Sequence, residues 1–251
     1  MKLDDSAFIV ATEAVPYSEN TELTYQPFSC LIEPYGLLCL VGPHRSQLRD
    51  YLFMLAGIYP PKRGQVKIFD RDTHVDRECW RKMRTRIGYL SGIAPLLSSQ
   101  HGLMNVMLPA LYHQNKTFRE TADRARQLLS ELECDFDFLS FPATLNNFQR
   151  LQLGLARALM LDPALLVFDV PFHDLGAKQR EIMASLLGKY RQKRTVCMIG
   201  GLQYPRFLEQ HATQISFISE QKIICFNSWA AFINSEDEEV QGLISGQKNV
   251  E

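Results

Sequence analysis

The feature that most constrains this chain is a set of short apolar runs, each closed by a turn signal and each followed or preceded by a helical pattern. LLCLV at 37–41 stops at Gly42 and Pro43, and Leu48, Tyr51, Leu52 and Leu55 then recur at helical spacing. LLVFD at 165–169 and TVCMI at 195–199 repeat the arrangement, separated by another helix-like stretch. Strands with no polar alternation are buried on both faces, which is the condition of a parallel sheet covered by crossover helices. Residues 213–226 supply two further short strands, PPKRG at 60–64 reads as a turn, and QVKIFDRD at 65–72 alternates like a half-buried strand. Between them, residues 103–161 are dominated by helical patterns, including the amphipathic TFRETADRARQLLSELE, and read as a helical insert. The core is therefore α/β.

Charge and cysteine usage exclude several classes. With 27 basic and 28 acidic side chains the net charge is −1, so no whole-chain field favours nucleic acid or an anionic membrane surface. No apolar run reaches the roughly 18 residues of a spanning helix, and the start MKLDDSAFIV is acidic where a secretory signal is basic, which predicts a soluble, intracellular protein. The six cysteines (Cys30, Cys39, Cys79, Cys134, Cys197 and Cys225) form no C-x-x-C pair and read as reduced, mostly buried thiols. His44, His101, His113, His173 and His211 show no metal-ligand spacing, so no metal site is expected of them.

Taken in order, LVGPHRSQLRDYLFMLAGIYPPKRGQV, RIGYLSG, LNNFQRLQLGLARALMLDPALLVFDVPF and TVCMIGGL resemble the landmarks of ABC-transporter nucleotide-binding subunits across residues 8–233. LARALMLDPALLVFDVPF at 155–172 is the most specific piece. NVMLPALYH and the closing FINSEDEEVQGLISG are similar to the Mla or MCE-type phospholipid-transport subfamily. The resemblance implies a P-loop (RecA-like) ABC ATPase core with a parallel sheet, antiparallel N-terminal strands and an inserted helical subdomain. Residues 1–91 and 162–233 would form the core, 92–161 the helical subdomain and 234–251 a polar tail.

The same resemblance implies what the site residues would do. A phosphate loop G-x-x-x-x-G-K-[ST] wraps phosphate with backbone N–H groups, neutralises it with lysine and holds magnesium with the hydroxyl. Its eight positions fall on Gly42, Pro43, His44, Arg45, Ser46, Gln47, Leu48 and Arg49, so only the first glycine is kept, leucine replaces the lysine, and Arg49 replaces the hydroxyl, with Asp50 beside it. Asp169 stands at the Walker B aspartate as a vestigial magnesium ligand, although a strand-end aspartate also serves simply as a cap for the next loop. Val170 stands where a glutamate polarises water, and valine accepts no proton. Gly92 replaces the Q-loop glutamine, and Gly200 and Gly201 replace the switch Ser-His pair. The signature LSGGQ is replaced by Leu145, Asn146, Asn147, Phe148 and Gln149, where Asn146 or Asn147 would cap a helix. Gly176, near Asp174, stands where an aspartate links subunits. Tyr17, 25 residues before Gly42, is placed for stacking on adenine or for ordinary packing.

These substitutions predict a protein that is not an enzyme, a pseudo-ATPase with weak or absent ATP and magnesium binding. Apolar periodicity is intact while the polar positions that touch ATP are changed, so the fold is kept as the chemistry is altered. The expected role is a scaffold or regulator of a membrane transporter, by the subfamily resemblance one moving lipid, lying in the cytoplasm against the inner face of the membrane. It would dock an integral permease through residues 95–115 and pair with itself or with an active ABC subunit, without nucleic acid. The alternatives are an atypical ATP-binding sensor, in which Arg45 or Arg49 supplies the phosphate charge, and a soluble interaction module.

Overall fold

The computed structural model describes residues 9–18, 22–73, 77–113 and 116–248. The first eight residues of the acidic start, positions 114 and 115 of the 95–115 segment and the last three residues of the tail lie outside that range.

The apolar runs are strands. A six-stranded sheet contains β3 (Leu37–Val41), β6 (Ile87–Ser91), β7 (Leu165–Asp169), β8 (Thr195–Ile199), β9 (Gln214–Ile218) and β10 (Ile223–Phe226), in the order β10-β9-β3-β8-β7-β6. All its pairings are parallel except that of β9 with β10. Every residue of β3, β7 and β8 is buried. Alternation then sorts their side chains to two cores: Leu37, Cys39 and Val41 enter one, Leu38 and Leu40 the other. The first core is closed by α3 (Gly102–His113), α4 (Phe118–Glu131), α5 (Asn147–Leu159), α6 (Ala177–Arg191) and α7 (Pro205–His211). On the second lie α1 (Arg45–Leu55), α2 (Arg77–Met83) and an antiparallel sheet. That sheet orders β1 (Ile9–Pro16), β2 (Phe28–Ile32), β4 (Pro61–Ile68) and β5 (Arg71–Asp72) as β2-β1-β4-β5.

Local chemistry explains the element ends. Thr117 caps α4 by accepting from the Glu120 N–H at 3.2 Å, while the Glu120 carboxylate accepts from the Thr117 N–H at 2.8 Å, a reciprocal capping box. Phe69 and Asp70, at φ 54° and 57°, form the two-residue turn between β4 and β5.

Two sequence expectations are corrected. PPKRG does not end a strand: residues 61–64 are the first half of β4, and Gly64 sits at φ +77° where the pairing with β1 shifts register. A Cβ there would lie 2.1 Å from the Glu13 carbonyl oxygen, so glycine marks a bulge and not a turn. The closing polar stretch carries α9 (Glu238–Lys248), which follows α8 (Trp229–Ile233) and buries Val240. The cysteines also divide: Cys39 and Cys197 are buried, Cys30 and Cys134 are intermediate, and Cys225 is exposed. Burial pushes the Cys30, Cys39 and Cys134 thiols up to about 12, so they stay protonated at neutral pH.

Candidate functional site

Strands β3, β8 and β7 end side by side at the carboxyl edge of the parallel sheet, the position where open α/β sheets place their ligand crevice. The connection after β3 is short. Gly42, Pro43 and His44 form it, and Arg45, Ser46, Gln47, Leu48 and Arg49 are already the first five residues of α1. Gly42 is required by packing, because a Cβ would lie 2.0 Å from the Ile218 carbonyl oxygen.

This helical start decides where each motif side chain goes. Arg45 and Ser46 face solvent, while Gln47 and Leu48 turn inward. The Gln47 amide donates to the Thr24 carbonyl at 2.6 Å, and its buried Oε1 has no partner. His44 lies 3.5 Å from Glu220, which also accepts from the Thr24 N–H at 3.1 Å. Leu48 stays in the apolar core beneath the loop.

Arg49, one turn into α1, reaches across to the end of β7. Its Nε donates to Asp169 Oδ2 at 2.8 Å and its Nη2 approaches Oδ1 at 3.3 Å. The Tyr89 hydroxyl, from β6, donates to the same Oδ2 at 3.0 Å. Asp169 is 1% exposed and Arg49 39%. Burial alone would lower the Arg49 pKa, but the hydrogen bond and charge of Asp169 outweigh it and raise it. Burial first, and then the Asp169 charge, push the Tyr89 phenol up to about 12, so it remains a donor. Asp169 is thus held in a partly buried ion pair with Arg49.

The residue after it is strained. Val170 has φ +50°, a left-handed conformation that is an outlier for a β-branched side chain. Glycines surround it: a Cβ on Gly92 would meet the Val170 carbonyl oxygen at 2.4 Å, and one on Gly200, itself at φ +77°, would meet Val170 Cγ1 at 2.5 Å. At Gly201 a Cβ would meet Leu208 at 2.6 Å and Cys39 Sγ at 2.9 Å. Gly92 and Gly200 therefore interlock with Val170 as one packed unit, with Gly201 packed on Leu208 and Cys39 next to it. Beside them a cavity of about 130 Å³ is lined by Gly42, Arg45, Leu48, Val170, Gly200 and Gln203, and Gln203 Oε1 is buried without a partner.

The remaining motif residues are spread out. Asn146 caps α5, accepting from the Gln149 N–H at 2.9 Å while Gln149 Oε1 accepts from the Asn146 N–H at 3.0 Å. Asn147 points toward the His173 and Asp174 carbonyls at 3.5 Å, and Phe148 packs on the core. Gly176 is the N-cap of α6. Tyr17 follows β1 and is 56% exposed. Sequence reasoning missed Tyr89; its signal was a lone phenol in the strand RIGYLSG. It also missed Thr24 and Glu220, which carry no local signal.

These residues fit a phosphate ligand at the first turn of α1. His44 provides no side-chain cap, the first N–H groups of a helix lack intrahelical partners, and Arg45 stands beside them. Asp169 is an oxygen ligand of the kind magnesium takes, with Arg49 already paired to it. Among the described residues no group of three or more His, Cys, Asp or Glu side chains gathers as a metal site, and no helix is long and apolar enough to cross a membrane.

Comparison with known proteins gives a consistent picture. A family model described as ABC transporter matches residues 51–173. The ergothioneine transport ATP-binding protein EgtV of Helicobacter pylori (strain G27) is 25% identical over 192 residues, covering 76% of this chain and 88% of that protein. The lipoprotein-releasing system ATP-binding protein LolD of Acinetobacter baylyi is 26% identical over 162 residues, 64% of this chain and 71% of its own length. Among solved structures, the dimeric post-hydrolysis state of the ATP-binding cassette MJ0796 bound to ADP and Pi superimposes with a TM-score of 0.75 at 22% identity, covering 86% of this chain and 97% of that one. These findings correct two expectations: that the chain is not an enzyme but a pseudo-ATPase, and that ATP and magnesium bind weakly or not at all. The proteins it resembles are ATP-binding proteins of transporters. The expectation rested on Leu48, Val170 and Gly201 and set aside the alternative in which Arg45 or Arg49 supplies the phosphate charge.

Proposed function

This chain has the ABC ATPase fold and ABC-transporter ATP-binding proteins as homologues, and from that premise we propose that it works as the ATP-binding regulatory subunit of a membrane transporter. The observation that carries the reading is the start of α1, where Arg45 stands exposed at a first turn with no side-chain cap and Arg49, one turn on, reaches Asp169 at the end of β7. Arg45 and the helix N-terminus take the phosphates, and arginine supplies the charge that lysine would otherwise bring. Asp169, oriented by Tyr89, is the cation ligand. Magnesium, when bound, screens the phosphate charge. The exposed Tyr17 ring covers the base.

The subunit pairs with a second copy or another ABC subunit and lies on the cytoplasmic face of the membrane. Its permease contact is the 95–115 segment, in which Leu97, Leu111 and Tyr112 are exposed. The relation to a lipoprotein-releasing system, together with the Mla-like tail, supports a lipid or lipid-linked cargo.

Equilibrium dialysis of purified protein against ATP and magnesium into the millimolar range, with hydrolysis followed on the same sample, tests this. Saturable binding that weakens at least tenfold in Arg45→Ala is expected. Absence of binding throughout that range overturns the reading.

A further inference from the structure

Asp169 is held by more than its strand. Both carboxylate oxygens face Arg49 and one also accepts from Tyr89, so three donors occupy a group with about four lone-pair positions. The guanidinium fork matches a carboxylate in a way a lone ammonium does not. A magnesium ion needs near-octahedral oxygen ligation at about 2.0–2.1 Å. Its charge cannot be added beside a guanidinium already at hydrogen-bond distance without strong repulsion.

Resting on the function proposed above, we infer that Arg49 determines the cation requirement of this site: its guanidinium is the resident counter-charge of Asp169, and a divalent cation reaches that carboxylate only in exchange for it. Exposure says which partner moves. Asp169 is fixed at the end of β7, 1% exposed, whereas Arg49 is 39% exposed and sits on the first turns of α1, where the phosphates bind. On exchange the guanidinium swings from the carboxylate toward the nucleotide phosphates. Cation entry and phosphate neutralisation thereby become one event, and free metal without nucleotide is disfavoured because the displaced arginine has no anion to receive it.

Manganese, a paramagnetic substitute for magnesium, tests the exchange by titration of the free ion in electron paramagnetic resonance. The intact wild-type chain, Arg49→Ser and Arg49→Gln are compared with and without ATP. Glutamine retains a donor for the buried carboxylate and keeps the comparison valid where the serine variant does not fold. The expected result is at least tenfold tighter manganese binding in the variants, with the larger gain in the absence of ATP. Equal manganese affinity in wild type and a folded variant overturns the exchange. Dialysis of ATP on the same samples separates the two ideas: wild type that binds ATP with unmoved manganese affinity sinks the exchange alone. Wild type that binds no ATP sinks the functional reading, while the nucleotide-free manganese titration still decides the role of Arg49.

Discussion

A valine at φ +50° costs on the order of 1–3 kcal/mol and persists only where its surroundings over-determine it. At Val170 those surroundings are two glycines, Gly92 and Gly200, with room for the valine and for nothing larger than hydrogen on themselves. Replacing Gly200 adds a Cβ at a positive φ and drives it to within 2.5 Å of Val170. Gly200→Ala is therefore expected to lower unfolding free energy by about 1–3 kcal/mol, read from urea denaturation. A loss smaller than a few tenths of a kcal/mol would show that the unit is not interlocked. Sequence alone exposed part of this: Asp169 was readable as the end of an apolar strand. Its ties to Arg49 and Tyr89 were not readable, because 120 and 80 residues separate those partners.

Among the elements, the parallel strands were legible because runs of buried apolar residues leave no other economical reading, and α4 because TFRETADRARQLLSELE is amphipathic at helical spacing. Gly64 was misread since glycine punctuates turns and bulges alike, and only the partner strand distinguishes them. The helical start at Arg45 was hidden by the expectation of a glycine-rich loop, although without the later glycine nothing keeps that stretch from coiling. The changed signature illustrates a gain at the same level, because Asn146 and Gln149 close a capping box on α5. Asn146→Ala is expected to cost about 1 kcal/mol. The measurement is the thermal midpoint together with amide exchange, which should accelerate in the first turn of α5 and not in α4; uniform acceleration would place the loss elsewhere.

For the whole molecule, the proposed nucleotide site at the start of α1 and the proposed permease contact before and along α3 use different elements, so they should respond separately to mutation. Leu97→Asp with Tyr112→Asp is expected to reduce copurification of a membrane partner at least fivefold while ATP retention by dialysis is unchanged; loss of both would merge the two surfaces into one. The site is also stitched by contacts of long sequence separation. Glu220, on the turn after β9, receives the Thr24 N–H 196 residues away, and its carbonyl accepts from the Gln26 amide 194 residues away. Chain-closure entropy of such pairings is repaid only after the strands between them have assembled. The arrangement around the start of α1 is consequently a late product of folding: a chain still emerging from the ribosome has its helical insert long before residue 220 arrives, and Thr24 and Gln26 wait without their partner until nearly all of these elements have been made.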